Sequence, residues 1–385
     1  MRVLHIISSG GMYGAEAVIL NLSHLLHEAG HASMLGVFAN SQNPNLQLHE
    51  AALQKGVESH IIVCDGQIDP GVTEKIRVLA RETSADVIQT HGYKADIYAY
   101  FSLRRSTIPI VSTCHGWIDS NFTVKLYGAA DRWILRRFAA VMAVSGDVAQ
   151  RLLTSGVPRE KIHQIRNGID LRPFLAATPS LATDRRNGAL VVGQIARLSH
   201  EKGVDIFVRA AALVLREVPE TQFLVVGDGP DRVALERLIR ELGVASNVVL
   251  LGRRTDMPEI YASLDIVVSS SRQEGLSMAL LESMASGLPT IATPVGEVSS
   301  AIENDVTGIL TPIEDKAALA AAMVSLLRDP DRRKRLAAAA RRRIESDFSA
   351  ARMAADYLAI YQSVVKTINE DRNPVHATRD KFDER

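Results

Sequence analysis

Val3-Leu4-His5-Ile6-Ile7 is followed by Ser8-Ser9-Gly10-Gly11-Met12-Tyr13-Gly14, then by Ala15 to Glu28, and then by Ser33 to Phe38. The first and last pieces are short apolar runs of strand type. The third repeats its apolar residues at helical spacing, and a glycine-rich loop joins strand to helix. Strand, helix and strand in that order make a βαβ unit, whose crossover helix forces the two strands parallel. The same grammar continues through Asp86 to Gln89, Pro109 to Cys114, Ala140 to Val144 and Ile162 to Ile165, with helical segments between them. It predicts an α/β fold with a doubly wound parallel sheet.

After the turn Asn167-Gly168-Ile169-Asp170 the pattern dissolves into a polar stretch, Arg172 to Gly188, carrying Pro173, Thr178, Pro179, Ser180 and Thr183. Such composition reads as a linker. A second alternating series follows, with strands near Leu190 to Ile195, Phe223 to Val226, Val248 to Leu251, Ile266 to Ser269, Thr290 to Ala292 and Gly308 to Leu310. The chain has 385 residues, and at roughly 150 residues per domain two domains with extras are expected. The boundaries read as a first Rossmann-like domain over 1–172, a linker over 173–188, a second Rossmann-like domain over 189–349 and a flexible tail over 370–385. From Asp315 the pattern is helical only, and the stretch at about 350–368 is expected to return to the first domain. Open sheets of this kind bind ligands beyond the carboxyl ends of their strands, so two of them predict a ligand cleft between facing domains.

Composition narrows the function. With 46% hydrophobic and 23% charged residues the chain can bury a core, which excludes a disordered or collagen-like protein. Lys and Arg together number 44, as do Asp and Glu, so overall charge gives no reason to expect nucleic acid. The cysteines, Cys64 and Cys114, are too few for a disulfide framework and fit a reducing compartment. The apolar run Val3 to Ile7 is too short for an export signal, and no run of about 18 apolar residues predicts a membrane span. A cytoplasmic protein is expected, with contact at the inner face of the membrane left open.

Several motifs have ordinary explanations. His27-Glu28-Ala29-Gly30-His31 spells a zinc-protease pattern, but Gly30 is the expected helix stop and takes His31 off the helical face. Asp329-Pro330-Asp331 resembles a metal-binding aspartate pair, yet between two helices it reads as a stop and a cap. No other carboxylate cage is evident, so no metal is expected and phosphate chemistry should be metal-free. The strand Val37-Phe38-Ala39-Asn40 ends without the acidic residue that an NAD ribose requires, which counts against a dehydrogenase. Val225-Val226-Gly227-Asp228-Gly229-Pro230 reads mainly as a turn, with Pro230 in the first turn of the next helix. The basic segment Arg332 to Arg343 reads as a solvated face. The segment Lys125 to Phe138 mixes cations and aromatics as membrane-surface helices do, and packing of its apolar residues on the sheet explains it equally.

The chemistry-bearing candidates all follow predicted strands. Gly11 and Gly14 lie in the first loop, where glycines let backbone amides approach an anion at a helix N-terminus. In Gly193-Gln194-Ile195-Ala196-Arg197-Leu198-Ser199-His200-Glu201-Lys202-Gly203 the cations Arg197 and Lys202 are placed for an anion site. Glu274 and Glu282 flank Gly275, Leu276 and Ser277. A helix starting near Ser277 would leave free amides around Leu276 and put Glu282 one and a half turns in, among Leu280, Leu281 and Met284, where a carboxylate needs a partner. His115, in Cys114-His115-Gly116-Trp117, and His91, before Gly92, both follow strands, and position alone does not choose between them.

Taken together these residues resemble a retaining glycosyltransferase of family 4 in the two-domain glycosyltransferase-B fold. The resemblance spans nearly the whole chain, and its most specific part is Gly193 through Arg197 to Lys202-Gly203, then Glu274 and Glu282 separated by seven residues, Ser286-Gly287-Leu288-Pro289 and Gly296-Glu297. Gly11, Gly14, His115-Gly116, Val144-Ser145 and Asn167-Gly168-Ile169-Asp170 support it. The resemblance implies that Arg197 and Lys202 bind the donor diphosphate and that Glu282 holds the nucleotide ribose. It implies that Glu274 contacts the transferred sugar and that His115 approaches that sugar from the other domain. It also gives Gly11, Gly14, Gly193, Gly275, Leu276 and Ser277 donor-binding places, and assigns the acceptor to the first domain and the donor to the second. The implied activity is metal-independent transfer of a sugar, with retention, from a UDP- or GDP-linked donor to a glycan or lipid-linked acceptor, in cell-envelope or exopolysaccharide synthesis. A nucleotide-sugar epimerase on the same fold and a non-catalytic nucleotide-sugar-binding protein are the alternatives.

Overall fold

The computed structural model describes residues 1–9, 11, 14–42, 44–66, 68–115, 122–181 and 188–372. Two compact units form: Met1–Gly168 together with the helix that begins at Ala350, and Ile169–Ser349. Among the described residues the first unit contains seven strands, β1 Arg2–Ile7, β2 Ala32–Ala39, β3 Glu58–Val63, β4 Val87–His91, β5 Ile110–Cys114, β6 Ala140–Ala143 and β7 Ile162–Gln164. The second contains six, β8 Val191–Ile195, β9 Gln222–Val226, β10 Val248–Gly252, β11 Ile266–Ser269, β12 Thr290–Ala292 and β13 Ile309–Leu310. The orders are β3-β2-β1-β4-β5-β6-β7 and β10-β9-β8-β11-β12-β13, and the pairings are parallel throughout.

Central strands covered by helices on both faces are apolar without alternation, which is why their sequence signal is strong: in β1 only Arg2 is exposed, and β4, β5 and β6 are buried throughout. β3 gave no such signal. It is an edge strand that opens on Glu58, Ser59 and His60 and leaves Ile61 and Val63 exposed. In each sheet the order of strand addition reverses after the third strand, placing β4 beside β1 and β11 beside β8, and the loops leaving those strand ends form the switch points where such sheets bind ligands.

The helix Gly14–Glu28 ends before Gly30, which takes φ +79°, and His31 lies in the connection to β2, off the helix. Asp329 accepts a hydrogen bond from the Arg332 N–H at 2.8 Å and caps the helix Pro330–Asp347, with Pro330 opening its first turn. Pro230 behaves differently from expectation: the following helix, Arg232–Glu241, is preceded by Asp231, so the proline lies outside it. The polar stretch after Asp170 also departs from a plain linker. Arg172–Ala176 is a short helix, because Phe174 has an apolar seat, its ring edge-on to Tyr261 at 5.9 Å in the second unit. Residues 182–187 lie outside the described residues.

The last helix runs Ala350–Arg372, four residues past the expected 368, and belongs to the first unit. Tyr357 and Tyr361 are fully buried; the Tyr357 hydroxyl meets Thr113 Oγ1 at 3.0 Å, and Met353 Sδ accepts the Gly168 N–H at 3.2 Å. The tail over 373–385 lies outside the described residues. The basic-aromatic segment forms the helix Phe122–Leu135, with Ile134, Leu135 and Phe138 buried and Trp133 exposed beneath the Arg137 guanidinium, 3.4 Å from its ring centre.

Candidate active site

In the second unit the loops leaving β8 and β11 are locked together by close backbone approach. Gly203 adopts φ +60°, and any Cβ there would fall 2.0 Å from the Ser270 carbonyl oxygen. Ser270 Oγ donates to Gly203 O at 2.8 Å, and Gln194 Nε2 donates to Lys202 O at 3.0 Å. The loop after β9, which the sequence offers as a turn, supports this arrangement from the other side. A Cβ on Gly227 would meet Ala196 O at 1.9 Å, and the Leu198 N–H donates to Asp228 O at 3.0 Å. Gly296, at φ +53°, passes so close that a Cβ would lie 1.9 Å from Glu274 O. Three further glycines are thus required by contacts around residues 196–203 and 274–275.

These contacts bring Lys202 and Glu274 together. Lys202 Nζ lies 2.6 Å from both carboxylate oxygens of Glu274, and Ser271 Oγ donates to the same carboxylate at 3.1 Å. The side chains retain 22% and 12% of their exposure, enough shielding for the charges to act at short range and enough opening for a ligand to reach them. Arg197 is exposed, its Nη2 2.5 Å from Glu201 Oε1 and its Nε donating to Ser199 Oγ at 3.3 Å. The Ser199 hydroxyl and the Arg197 guanidinium hold the Glu201 carboxyl down to about 2, so this pair stays ionised at any physiological pH.

Glu282 is the counterpart of this charged edge. It lies in the helix Met278–Ala285, and burial pushes its carboxyl up to about 7, opposed by Tyr261, whose hydroxyl lies 3.0 Å from Glu282 Oε2 and equally from Ala279 O. Tyr261 is the partner that a carboxylate among Leu280, Leu281 and Met284 requires. Ser277 precedes that helix and does not cap it through its side chain, Leu276 packs on the local core, and Gly275 is exposed with nothing within 4 Å of where a Cβ would stand. Backbone amides and open space therefore adjoin Glu274. Gly193 is placed apart from this group: it is buried within β8, where a Cβ would lie 2.4 Å from Leu264 Cδ1, so its visible role is packing.

In the first unit, Gly14 opens the helix Gly14–Glu28, and the Gly11 N–H donates to Ser9 Oγ at 3.2 Å, which in turn lies 2.9 Å from Glu16 Oε1. Gly10, Met12 and Tyr13 lie outside the described residues, as do Gly116 and Trp117. His115 is exposed beyond β5 and stacks on His91 at 5.9 Å. His91 in turn stacks on His5, with His5 Nδ1 3.3 Å from His91 Nε2. Burial lowers the His5 ring to about 3 and holds His91 well below its ordinary value, with His5 and His115 adding to the effect, so both buried imidazoles are neutral. Of the two histidines that strand position offers, His115 lies outward and His91 beneath it.

Sequence reasoning missed Tyr261, Glu201, Ser271, Arg272 and Asp205. Glu201 and Ser271 find their partners within four residues, whereas those of Tyr261, Arg272 and Asp205 are set by which strands lie side by side; for Tyr261 the signal was Glu282 itself, a carboxylate in an apolar run. Among the described residues no cluster of three or more His, Cys, Asp or Glu groups is disposed to hold a metal ion. No helix among them is long and apolar enough to cross a membrane.

Two family models match the chain, one described as Glycosyltransferase Family 4 over residues 12–172 and one described as Glycosyl transferases group 1 over residues 182–343. The D-inositol 3-phosphate glycosyltransferase of Thermobispora bispora is 31% identical over 314 residues, 74% of this chain and 72% of that protein. The N-acetyl-alpha-D-glucosaminyl L-malate synthase of Bacillus anthracis is 25% identical over 375 residues, 94% and 96% of the two chains. Among solved structures, Anabaena Alr3699/HepE in complex with UDP aligns with a TM-score of 0.78 at 22% identity, covering 96% of this chain and all of that one. A glycosyltransferase of Rickettsia africae aligns with a TM-score of 0.80 at 20% identity over 95% of this chain and 98% of that one. At those identities the structural likeness is one of fold.

Proposed function

The chain belongs to glycosyltransferase family 4 and is a glycosyltransferase of the hexosyltransferase type; we propose that it moves a sugar, with retention at the anomeric carbon and without a divalent ion, from a UDP- or GDP-linked donor to a glycan or lipid-linked acceptor. In this reading the second unit binds the donor. Arg197 and Lys202 receive the diphosphate, Glu282 accepts hydrogen bonds from the ribose hydroxyls, and Glu274 contacts the sugar. The amides at Gly275, Leu276 and Ser277 border the phosphates. Gly11, Gly14 and His115 serve from the first unit, whose loops at 40–45 and 65–71 shape acceptor choice. Asp65 ties those two loops by accepting from the Ser41 N–H at 2.8 Å and the Ser41 hydroxyl at 2.9 Å.

The observation that carries the reading is the meeting of Lys202 with Glu274 beside Gly275, at the ends of the adjacent strands β8 and β11. Cleavage of the bond between sugar carbon and diphosphate leaves an oxocarbenium-like sugar and builds negative charge on the departing phosphate. A fixed ammonium, a guanidinium and backbone amides stabilise that charge without reorganising, and one such donor is typically worth about 2.7 to 4 kcal/mol of barrier. That supply of positive charge is what supports a reaction without a metal. A carboxylate next to the ammonium is placed to orient sugar hydroxyls while the phosphate takes over the cation. Retention follows if a leaving-phosphate oxygen accepts the acceptor's proton on the face of departure, which needs no enzyme nucleophile. The low cysteine count, Cys64 and Cys114 alone, supports a reducing, cytoplasmic setting, and exposed Trp133 with Arg137 supports contact with the inner membrane face.

The test is direct: purified protein offered UDP-, GDP- and ADP-sugars should bind one class and hydrolyse it slowly without acceptor. Failure to bind and failure to hydrolyse across the whole panel would sink the reading.

A further inference from the structure

Lys202 and Glu274 come from segments that follow different strands, and one side chain spans both segments. Arg272, two residues before Glu274, retains 15% of its side-chain exposure. Its Nη1 and Nη2 donate to Asp205 Oδ1 and Oδ2 at 2.8 and 3.0 Å, a fork-to-fork pairing. Nη1 also donates to the His200 carbonyl at 2.8 Å, and Nε to Glu314 Oε1 at 2.7 Å. The backbone joins in, with the N–H groups of Arg272 and Gln273 donating to Glu201 O at 2.8 and 3.2 Å. The anchor points on the first segment, His200, Glu201 and Asp205, bracket Lys202 on both sides. Asp205 stands in the first turn of the helix Val204–Val214, so the guanidinium also fixes where that helix begins.

We propose that Arg272 and Asp205 form a clamp that positions Lys202 against Glu274 for donor turnover, making both positioning residues for the reaction. This rests on the functional reading above. The clamp touches neither a candidate diphosphate ligand nor the sugar-contacting carboxylate; it sets the separation of the two segments that carry them. A displacement of about 1 Å in a catalytic group can cost about a hundredfold in rate, so the role predicts a kinetic effect out of proportion to any loss of stability. Lysine at 272 keeps the charge but, as a point donor, cannot hold both Asp205 oxygens, the His200 carbonyl and Glu314 together.

The experiment measures hydrolysis of UDP-glucose, GDP-mannose and ADP-glucose, UDP affinity by titration calorimetry and Tm for the wild type, Arg272→Lys, Asp205→Asn, the double variant and Glu314→Gln. The clamp predicts that Arg272→Lys and Asp205→Asn each lose about ten- to a hundredfold in kcat/KM for whichever sugar nucleotide the wild type cleaves. The double variant should be no worse than either single one, because one interaction is being removed twice. Glu314→Gln, which removes only a mostly exposed partner, should stay within about twofold. Asp205→Asn, which preserves shape, carries the test if Arg272→Lys does not fold. A purely structural role lowers Tm while leaving the kinetics of the folded protein within twofold of wild type, or gives losses that multiply in the double variant; either result overturns the clamp alone. A wild type that binds no UDP and cleaves none of the three donors overturns the functional reading and the clamp with it.

Discussion

At the ends of β4 and β5 in the first unit, exposed His115 stacks on buried His91, with His5 of β1 beneath, and both buried rings are held neutral by burial. The loops leaving β8 and β11 in the second unit present Arg197 with Glu201, Lys202 with Glu274, and Arg272 with Asp205. The strand order around the two switch points is the same. The comparison teaches that one strand order can carry two edges of opposite chemistry, because a few residues at the end of each strand decide whether the edge is charged. An edge of neutral imidazoles suits uncharged hydroxyl groups. In the proposed reading an edge of ion pairs holds its cations in place, and a diphosphate carries more charge than the single carboxylate with which it competes.

Replacing Lys202 by Ala is the strongest way to break this contrast. If the second edge carries the leaving-group chemistry, kcat should fall by about 10² to 10³, measured with the donor the wild type prefers; a loss below about threefold would place that chemistry elsewhere. A pH series sharpens the contrast next. With the Glu282 carboxyl pushed up to about 7, above its ordinary 4.5, it is largely protonated at pH 6 and largely ionised at pH 8. A carboxylate that accepts from ribose hydroxyls should therefore tighten UDP binding by about tenfold across that interval, and Glu282→Gln should remove the slope while leaving UDP's own titration as the common background. The sign for stability is opposite. The folded state retains a proton that the unfolded chain releases at lower pH, so this group's contribution to stability is largest below about 4.5 and is lost as pH rises through about 7. The smallest effect concerns the neutral edge: His115→Ala should lower turnover several-fold, the value of one or two hydrogen bonds, and leave UDP affinity unchanged. A His115→Ala protein that loses UDP binding as severely as Lys202→Ala would erase the division of labour.

Buried central strands were legible in the sequence because both of their faces are apolar, whereas β3 was not, its Ile61 and Val63 being exposed at a sheet edge. Gly30 and the Asp329-Pro330 pair could be read locally because a helix stop and a helix cap are made within a few residues. Arg197, Lys202, Glu274 and Glu282 were singled out by one rule, that residues following strands face ligands. The long-range contacts that hold them were not legible, since Tyr261 meets Glu282 and Arg272 meets Asp205 across 21 and 67 residues, through neighbours that only the strand order creates. Gly203, Gly227 and Gly296 are demanded by backbone oxygens that the sequence does not display. The start of the polar stretch misled for the same reason, as Phe174 finds an apolar seat against Tyr261 that its own surroundings do not announce.

The most direct test of the central claim is a crystal structure of the protein soaked with UDP. The account predicts phosphate oxygens within about 3 Å of Lys202 Nζ and the Arg197 guanidinium, with Glu282 on the ribose. A diphosphate bound away from both cations, while Lys202 remains paired with Glu274, would contradict it.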